Sequence, residues 1–279
     1  MSSNDVEHLK SLQIERGFRY RYSVTNYVEL ISRLARGPAP GWSNPFAKVR
    51  AACRRIRTLC DVEVLPSPES EYLSAVDLIH YIDARWVPNL EQTALALEII
   101  CNADTLGDIT GAGIQGPRSL ITPRWVIDPA HYLHLTDTDE RSLRQVIATL
   151  GHFVTPPFRR ENVDELVPWF VSLATFFLLV RPSTGNVQAN QLSAEEQNRF
   201  VHGFTHGAGR MFKSHITLVA FKTLVQGASI DPNDLYDALQ LLQLQDENRL
   251  FVTNEKSFFR YHEDATIQRV AHWESFRHS

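Results

Sequence analysis

Between Asp234 and Leu244 the apolar residues keep helical spacing, and that spacing leaves a carboxylate where a buried helix has little room for one. Leu235, Ala238, Leu239 and Leu242 fall at i, i+3, i+4 and i+7, one stripe of a helix facing a core. Leu241 and Leu244 lie on a second face, which Asp237 shares at i−4 and i−7. A charge on the second apolar side of such a helix must be paired, hydrogen-bonded or bound to a metal, because removing it from water uncompensated is too costly. Asp231-Pro232 ahead of the helix reads as N-cap and first helical residue. Asp234 then stands at the third helical position, where a carboxylate serves the helix alone and a metal role comes second. The following run, Leu250–Thr253, is β-like, and Glu255 projects just past its end, where parallel sheets gather their chemistry. Asp237 and Glu255 together predict half of an acidic metal site.

The two ends of the chain alternate strand-like and helical patterns. Asn4 followed by Glu7 reads as a capping box opening a helix over 4–16, with Asp5 in its first turn. A strand is expected over 18–24, a helix over 26–35, a break at Gly37-Pro-Ala-Pro-Gly41, a basic helix over 45–59, a strand over 62–65 and a helix from Glu69 to about His80. From 85 to 225 the patterns are helical, and Ser193 with Glu196 marks one helix start by the same box. The expectation is an α/β fold: a mostly parallel sheet flanked by helices, built from 1–84 and 228–279, with 85–227 as a helical insertion subdomain.

Three pieces resemble a known family. Asp237-Ala-Leu, Thr253-Asn-Glu-Lys-Ser-Phe258 and the 18-residue step from Asp237 to Glu255 are similar to the C-terminal half of a PIN domain, a metal-dependent nuclease fold. Members commonly read there as Asp-Ala-hydrophobic, a short helix, then a strand ending Thr-Asn-Asp with a Phe soon after. Tyr22-Ser-Val-Thr-Asn-Tyr-Val-Glu-Leu30 resembles the family's second strand and following helix, and Val62-Glu-Val-Leu-Pro-Ser-Pro-Glu69 its third strand. The matching pieces cover roughly residues 4–80 and 228–276. Two departures stand out. The family's first strand and its Asp have no counterpart, since Met1–Lys10 already looks like the helix after that strand, and Glu255 replaces the more usual Asp. Arg124-Trp-Val-Ile-Asp128 is the best internal substitute for the missing strand.

The resemblance implies a PIN-like mostly parallel sheet and phosphodiester hydrolysis, with RNA favoured over DNA. Glu29, Asp237 and Glu255 would be the catalytic and metal-ligating carboxylates, Asp234 a further ligand, and Thr253 and Asn254 would position the substrate turn. Mg²⁺ or Mn²⁺ is the implied cofactor, because such ions take hard oxygen ligands and keep several waters. Without the first-strand Asp, metal affinity should be weak. The competing reading is a catalytically inactive PIN-like module whose helical insertion binds a protein partner.

Net charge −4 and a pI near 6.3 leave no global basic signature, so nucleic acid would need a local patch. Lys48–Arg57 offers five cations in ten residues, a solvated helix surface or such a patch, and Arg16, Arg19 and Arg21 add to it. Three cysteines without a CxxC fit a reducing, cytoplasmic setting better than a disulfide scaffold. The most apolar run, Val167–Val180, is shorter than the ~20 residues a bilayer needs, and a buried helix is expected there. Gly111-Ala-Gly-Ile-Gln-Gly116 matches GxGxxG, but a helical pattern precedes it and Pro117 follows, so a loop is the better reading. His202, His206 and His215 lack the HExxH glutamate, and Thr136-Asp-Thr-Asp-Glu-Arg141 beside His131 and His134 reads as a helix N-terminus rather than a metal cluster.

Overall fold

The computed structural model describes residues 3–61, 63–82, 90–111, 128–151, 167–180, 191–231, 233–256, 258–259 and 269–278. It divides into two compact units, Met1–Pro66 with Pro88–Thr138, and Ser67–Val87 with Asp139–Ser279.

The first unit is helical. It holds α1 (Ser3–Arg16), α2 (Val24–Ala35), α3 (Pro45–Leu59), α5 (Leu90–Asn102), α6 (Leu106–Gly111) and the beginning of α7 (Pro129–Gly151). Asn4 lies inside α1 rather than at its cap, while Asp5 does occupy the first turn. Ser23 caps α2, accepting from the Asn26 amide while the Asn26 side chain accepts from the Ser23 amide. Asn44 caps α3 through the Ala47 amide with Pro45 behind it, as the sequence pattern requires. Tyr27, Ile31 and Leu34 of α2, Val49 and Cys53 of α3, and Leu97, Ile100 and Cys101 of α5 share one core. Tyr132 of α7 closes it edge-on against Tyr27, ring centroids 5.5 Å apart.

The second unit begins with α4 (Pro68–Ala75), whose expected run to His80 stops at Val76 because Asp77 takes a left-handed φ of 58°. A short 3₁₀ turn (Ile79–Tyr81) follows. The rest comprises the end of α7, then α8 (Val167–Thr175) continuing as a π-helical turn (Phe176–Val180), α9 (Ala194–His202), α10 (Gly207–Gln226), α11 (Asp234–Leu241) with a 3₁₀ extension (Leu242–Gln245), β1 (Phe251–Thr253), β2 (Val270–His272) and α12 (Trp273–His278). Ser193 and Glu196 form the expected capping box of α9. Aromatic rings form one centre of this unit: Phe204 stacks on Tyr72 at 4.6 Å and meets Phe170 and Phe200 edge-on. Ala208, Met211, Leu241, Leu244 and Phe258 form another. Asp139 of α7, expected near a helix start, is instead buried mid-helix and accepts a 2.7 Å hydrogen bond from the Tyr236 hydroxyl.

The α/β expectation fails. Among the described residues helices dominate, and the only sheet is β1 paired parallel with β2, Phe251 opposite Val270. Among the described residues the segment expected as a strand over 18–24 makes two isolated parallel bridges, Tyr20 with Cys60 ahead of the other expected strand and Ser23 with Leu65 within it. Three backbone hydrogen bonds hold them, from Asp61 to Tyr20, Leu65 to Tyr22 and Val24 to Leu65. The physical limit is helix length: α2 starts at Val24 and α3 runs to Leu59, so the extended pieces between helix ends are too short for a ladder to propagate. Nor does the run Leu250–Thr253 join them, since its strand Phe251–Thr253 pairs with Val270–His272 in the second unit. Arg124–Ile127 lies outside the described residues. Among the described residues no helix is long and apolar enough to cross a membrane.

Candidate functional site

The acidic end of α11 is built by its own approach turn. The Asp231 carboxylate accepts from the Asn233 amide at 2.8 Å, and Asp234 reaches back to accept from the Asp231 amide at 2.7 Å. The expected cap at Asp231 is displaced: Asn233 is the residue before the helix and Asp234 its first residue rather than its third, while both carboxylates satisfy amides of the approach turn. The stripe of Leu235, Ala238, Leu239 and Leu242 is wholly buried, so α11 cannot roll to present another face. Leu241 and Leu244 are buried as well, and Asp237, one turn ahead of Leu241, is left half-buried. Burial pushes the Asp234 carboxyl above its ordinary range; the charges of Asp231 and Glu255 add to that, while the Asp231 amide and Lys222 oppose it.

Glu255 lies just past β1, exposed, with its amide donating to Thr253 Oγ1 at 3.0 Å. Thr253 thereby fixes the turn that carries Asn254 and Glu255, both exposed. Arg269 holds the neighbouring end of β2: it adopts a φ of 66°, and its guanidinium donates to the carbonyls of Leu244 and Asp246 at 2.7 and 2.8 Å. A cation on those terminal carbonyls suits the negative end of the α11 segment.

Glu29 belongs to the first unit and Asp234, Asp237 and Glu255 to the second. On α2 Glu29 is enclosed enough that burial raises its carboxyl to about 7, with Arg33 one turn on acting in the opposite direction. Among the described residues no three His, Cys, Asp or Glu side chains gather closely enough to hold one ion. A Mg²⁺ ion is often held by one or two carboxylates with water and phosphate oxygens completing its shell. Asp234 with Glu255 meets that donor chemistry, since their like charges oppose each other.

The other constellations resolve into structure. His202 ends α9, His206 precedes α10, and their rings stand 5.1 Å apart; His215 is buried and stacked on Phe258 at 4.5 Å. Thr136–Arg141 is no helix start, because α7 opens at Pro129 under an Asp128 cap that accepts from the Ala130 amide. Asp137 pairs with Arg36 at 3.2 Å. Gly111 ends α6, and 112–116 fall outside the described residues. Much of the basic helix is committed within its own unit. Arg50 and Arg54 donate to the carbonyls of Ala103 and Cys101 at the C-terminal end of α5, and Arg57 pairs with Glu98 at 3.0 Å. Arg19 and Arg21 are likewise paired, with Asp61, and Arg21 also with Glu63.

Comparison with family models, curated proteins and solved structures finds no match to this chain.

Proposed function

We propose that this protein cleaves RNA phosphodiesters with a divalent cation, Mg²⁺ or Mn²⁺, taken up at the acidic end of α11. The observation that carries the reading is Asp234: its carboxyl is driven up by burial first, with the charges of Asp231 and then Glu255 adding to it, a stress that a cation relieves. Asp234 and Glu255 would hold the ion, with Asp237 acting directly or through water. Such an ion lowers the pKa of a bound water and offsets charge on the phosphate. The chain's own contribution is positioning: Thr253 fixes the turn bearing Glu255, and the buried stripe of α11 fixes the helix bearing Asp234 and Asp237. Few protein ligands imply weak, millimolar binding, and hydrolysis should be slow.

Calorimetric titration with Mn²⁺ and cleavage of a labelled single-stranded RNA at millimolar Mn²⁺ test this together. Binding and slow cleavage should appear in the wild type and fall at least tenfold in Asp237→Asn and Glu255→Gln. Mn²⁺ binding or cleavage unchanged by both substitutions would sink the assignment.

A non-catalytic reading, with the helical region between 85 and 227 as an interaction surface, draws on one observation. A cleft of about 510 Å³ opens between α8, the π-helical turn and α9, lined by Val171, Phe176, Val180, Phe200 and Val201. Phe176 and Val201 remain 38% and 37% exposed there. A chain that folds and yet takes up no Mn²⁺ favours this second reading.

A further inference from the structure

Between α2 and α3 the chain makes a tight turn whose geometry its sequence dictates. Ala39 and Trp42 pair through two backbone hydrogen bonds, 3.2 and 2.7 Å, around Pro40-Gly41. Gly41 carries the positive φ, 74°, that the third residue of a type II turn requires after proline. The turn mounts Trp42 at the edge of the first unit's core, half-buried and packed against it.

Two cations lie over the face of that half-buried indole. The Arg33 guanidinium is 5.7 Å and the Lys48 ammonium 5.6 Å from the ring centroid. Lys48 also donates to the Gly41 carbonyl, tying α3 to the turn. Neither cation forms a salt bridge among the described residues, in contrast to Arg36, Arg50 and Arg57 nearby. The acid closest in sequence to Arg33 is Glu29, one turn back and half-buried, whose carboxyl feels the Arg33 charge without forming a salt bridge to it among the described residues. Arg55, two helical turns beyond Lys48 on the same side of α3, likewise makes no hydrogen bond or ion pair among the described residues. In a chain of net charge −4, two cations without salt bridges among the described residues thus lie against one aromatic ring, with a third further along α3.

We propose that Trp42, Arg33, Lys48 and Arg55 form a platform for single-stranded nucleic acid. Sequence-tolerant single-strand binding needs a π-face for a base and cations for the flanking phosphates, on one surface. The long Arg and Lys arms can swing from the indole to a phosphate while a base takes their place on the ring. A bare anion-binding patch would not need the indole, and a core lid would not need unpaired cations. The platform is independent of the acidic end of α11, because binding without hydrolysis requires no divalent ion.

The test is fluorescence anisotropy in EDTA with the full chain, using labelled oligouridylate, oligothymidylate of equal length, and a duplex of that length. The wild type should bind both single strands and the duplex more weakly. Arg33→Glu and Lys48→Glu should each weaken single-strand binding about tenfold, and each lost cation should flatten the plot of log affinity against log salt by about 0.7. Trp42→Phe, which retains a smaller ring, should weaken it less than Trp42→Ala, for which a loss of about tenfold is expected. Arg57→Glu, already paired with Glu98, is the same-helix control and should cost less than Lys48→Glu. Thermal melts confirm that the charge variants fold. Equal affinity in Lys48→Glu, Arg33→Glu and wild type, or preference for duplex, overturns the proposal. Because no metal is present, a failed Mn²⁺ titration leaves this result standing, and the reverse holds too.

Discussion

Gly209→Ala should be among the most damaging small substitutions in the second unit. A Cβ at Gly209, in the first turn of α10, would stand 2.0 Å from the Gly203 carbonyl oxygen, 2.9 Å from its carbon and 3.3 Å from Phe204 Cα. All three are backbone atoms, so no rotamer change makes room. Reaching an ordinary C···O contact of about 3.3 Å requires the α9–α10 turn to open by about 1.3 Å. That turn is anchored: the Tyr72 hydroxyl donates to the Phe200 carbonyl at 2.5 Å, and Phe204 stacks on Tyr72. Overpacking costs about 1–3 kcal/mol, and a backbone clash falls at the upper end. Alanine's helix propensity returns about 1 kcal/mol, leaving a net loss of about 2 kcal/mol. At about 2–4 °C per kcal/mol for proteins of roughly this size, the melting temperature should fall by about 4–8 °C. Gly107→Ala is the matched control, since its Cβ would meet only Thr105 Oγ1, at 3.5 Å; it should be neutral or stabilising by up to about 1 kcal/mol. Thermal unfolding by circular dichroism reads both, with amide hydrogen exchange assigning the shifted transition to the second unit. Gly209→Ala within about 0.5 kcal/mol of wild type would refute the argument.

Glu29→Gln should flatten the dependence of stability on pH. The folded carboxyl titrates at about 7, against an ordinary value of 4.5, so the folded state holds the proton more tightly and stability falls as pH rises through that window. The ceiling is about 3 kcal/mol, reduced by partial exposure, so above pH ~7 the variant should gain about 1–2 kcal/mol in urea titrations. A wild-type stability that instead rises across the window contradicts the assignment. Tyr236→Phe removes the donor to buried Asp139 and should cost about 1.5–3 kcal/mol, with Asp139→Asn recovering part of that loss in the double variant. Additive single losses would show that the two groups are not coupled.

What the sequence disclosed and what it withheld divide along the range of the interactions. Helix α3 was legible end to end because Asn44, Pro45 and the buried spacing of Val49 and Cys53 are local signals. The α9 start was legible because Ser193 and Glu196 satisfy each other three residues apart. Some failures are local, as at Asn4 and Asp77, but those that matter for the charged residues are long-range. Thr136–Arg141 reads as a helix start from its run of Thr and acidic residues, whereas in mid-helix Asp137 finds Arg36, 101 positions away, and Asp139 finds Tyr236, 97 positions away. The basic run of α3 looked free because the carbonyls that Arg50 and Arg54 take lie 53 and 47 residues on. The α/β expectation failed for a related reason: residues 18–24 and 62–65 do approach each other in parallel, but alternation in sequence says nothing of how soon the flanking helices begin.

The same division sets what can be said of the acidic residues. Asp234 was legible as a helix-start carboxylate, and its bond to the Asp231 amide is local. Its raised pKa is only partly local, because it arises from burial first, then from the nearby charge of Asp231, and last from Glu255, which follows it after β1. Helix-start duty alone would lower the carboxyl, as the Thr105 amide does for Asp108 in the first turn of α6. Asp234 makes the same kind of bond and still moves the other way. Burial and like charge therefore outweigh the helix there, and a side chain serving only its own helix start has no reason to incur that penalty. The stress is what a cation, or a proton, would remove, and titrating Asp234 with and without Mn²⁺ separates the two. A carboxyl that stays raised in saturating Mn²⁺ means that the proton is the occupant and that the metal reading fails.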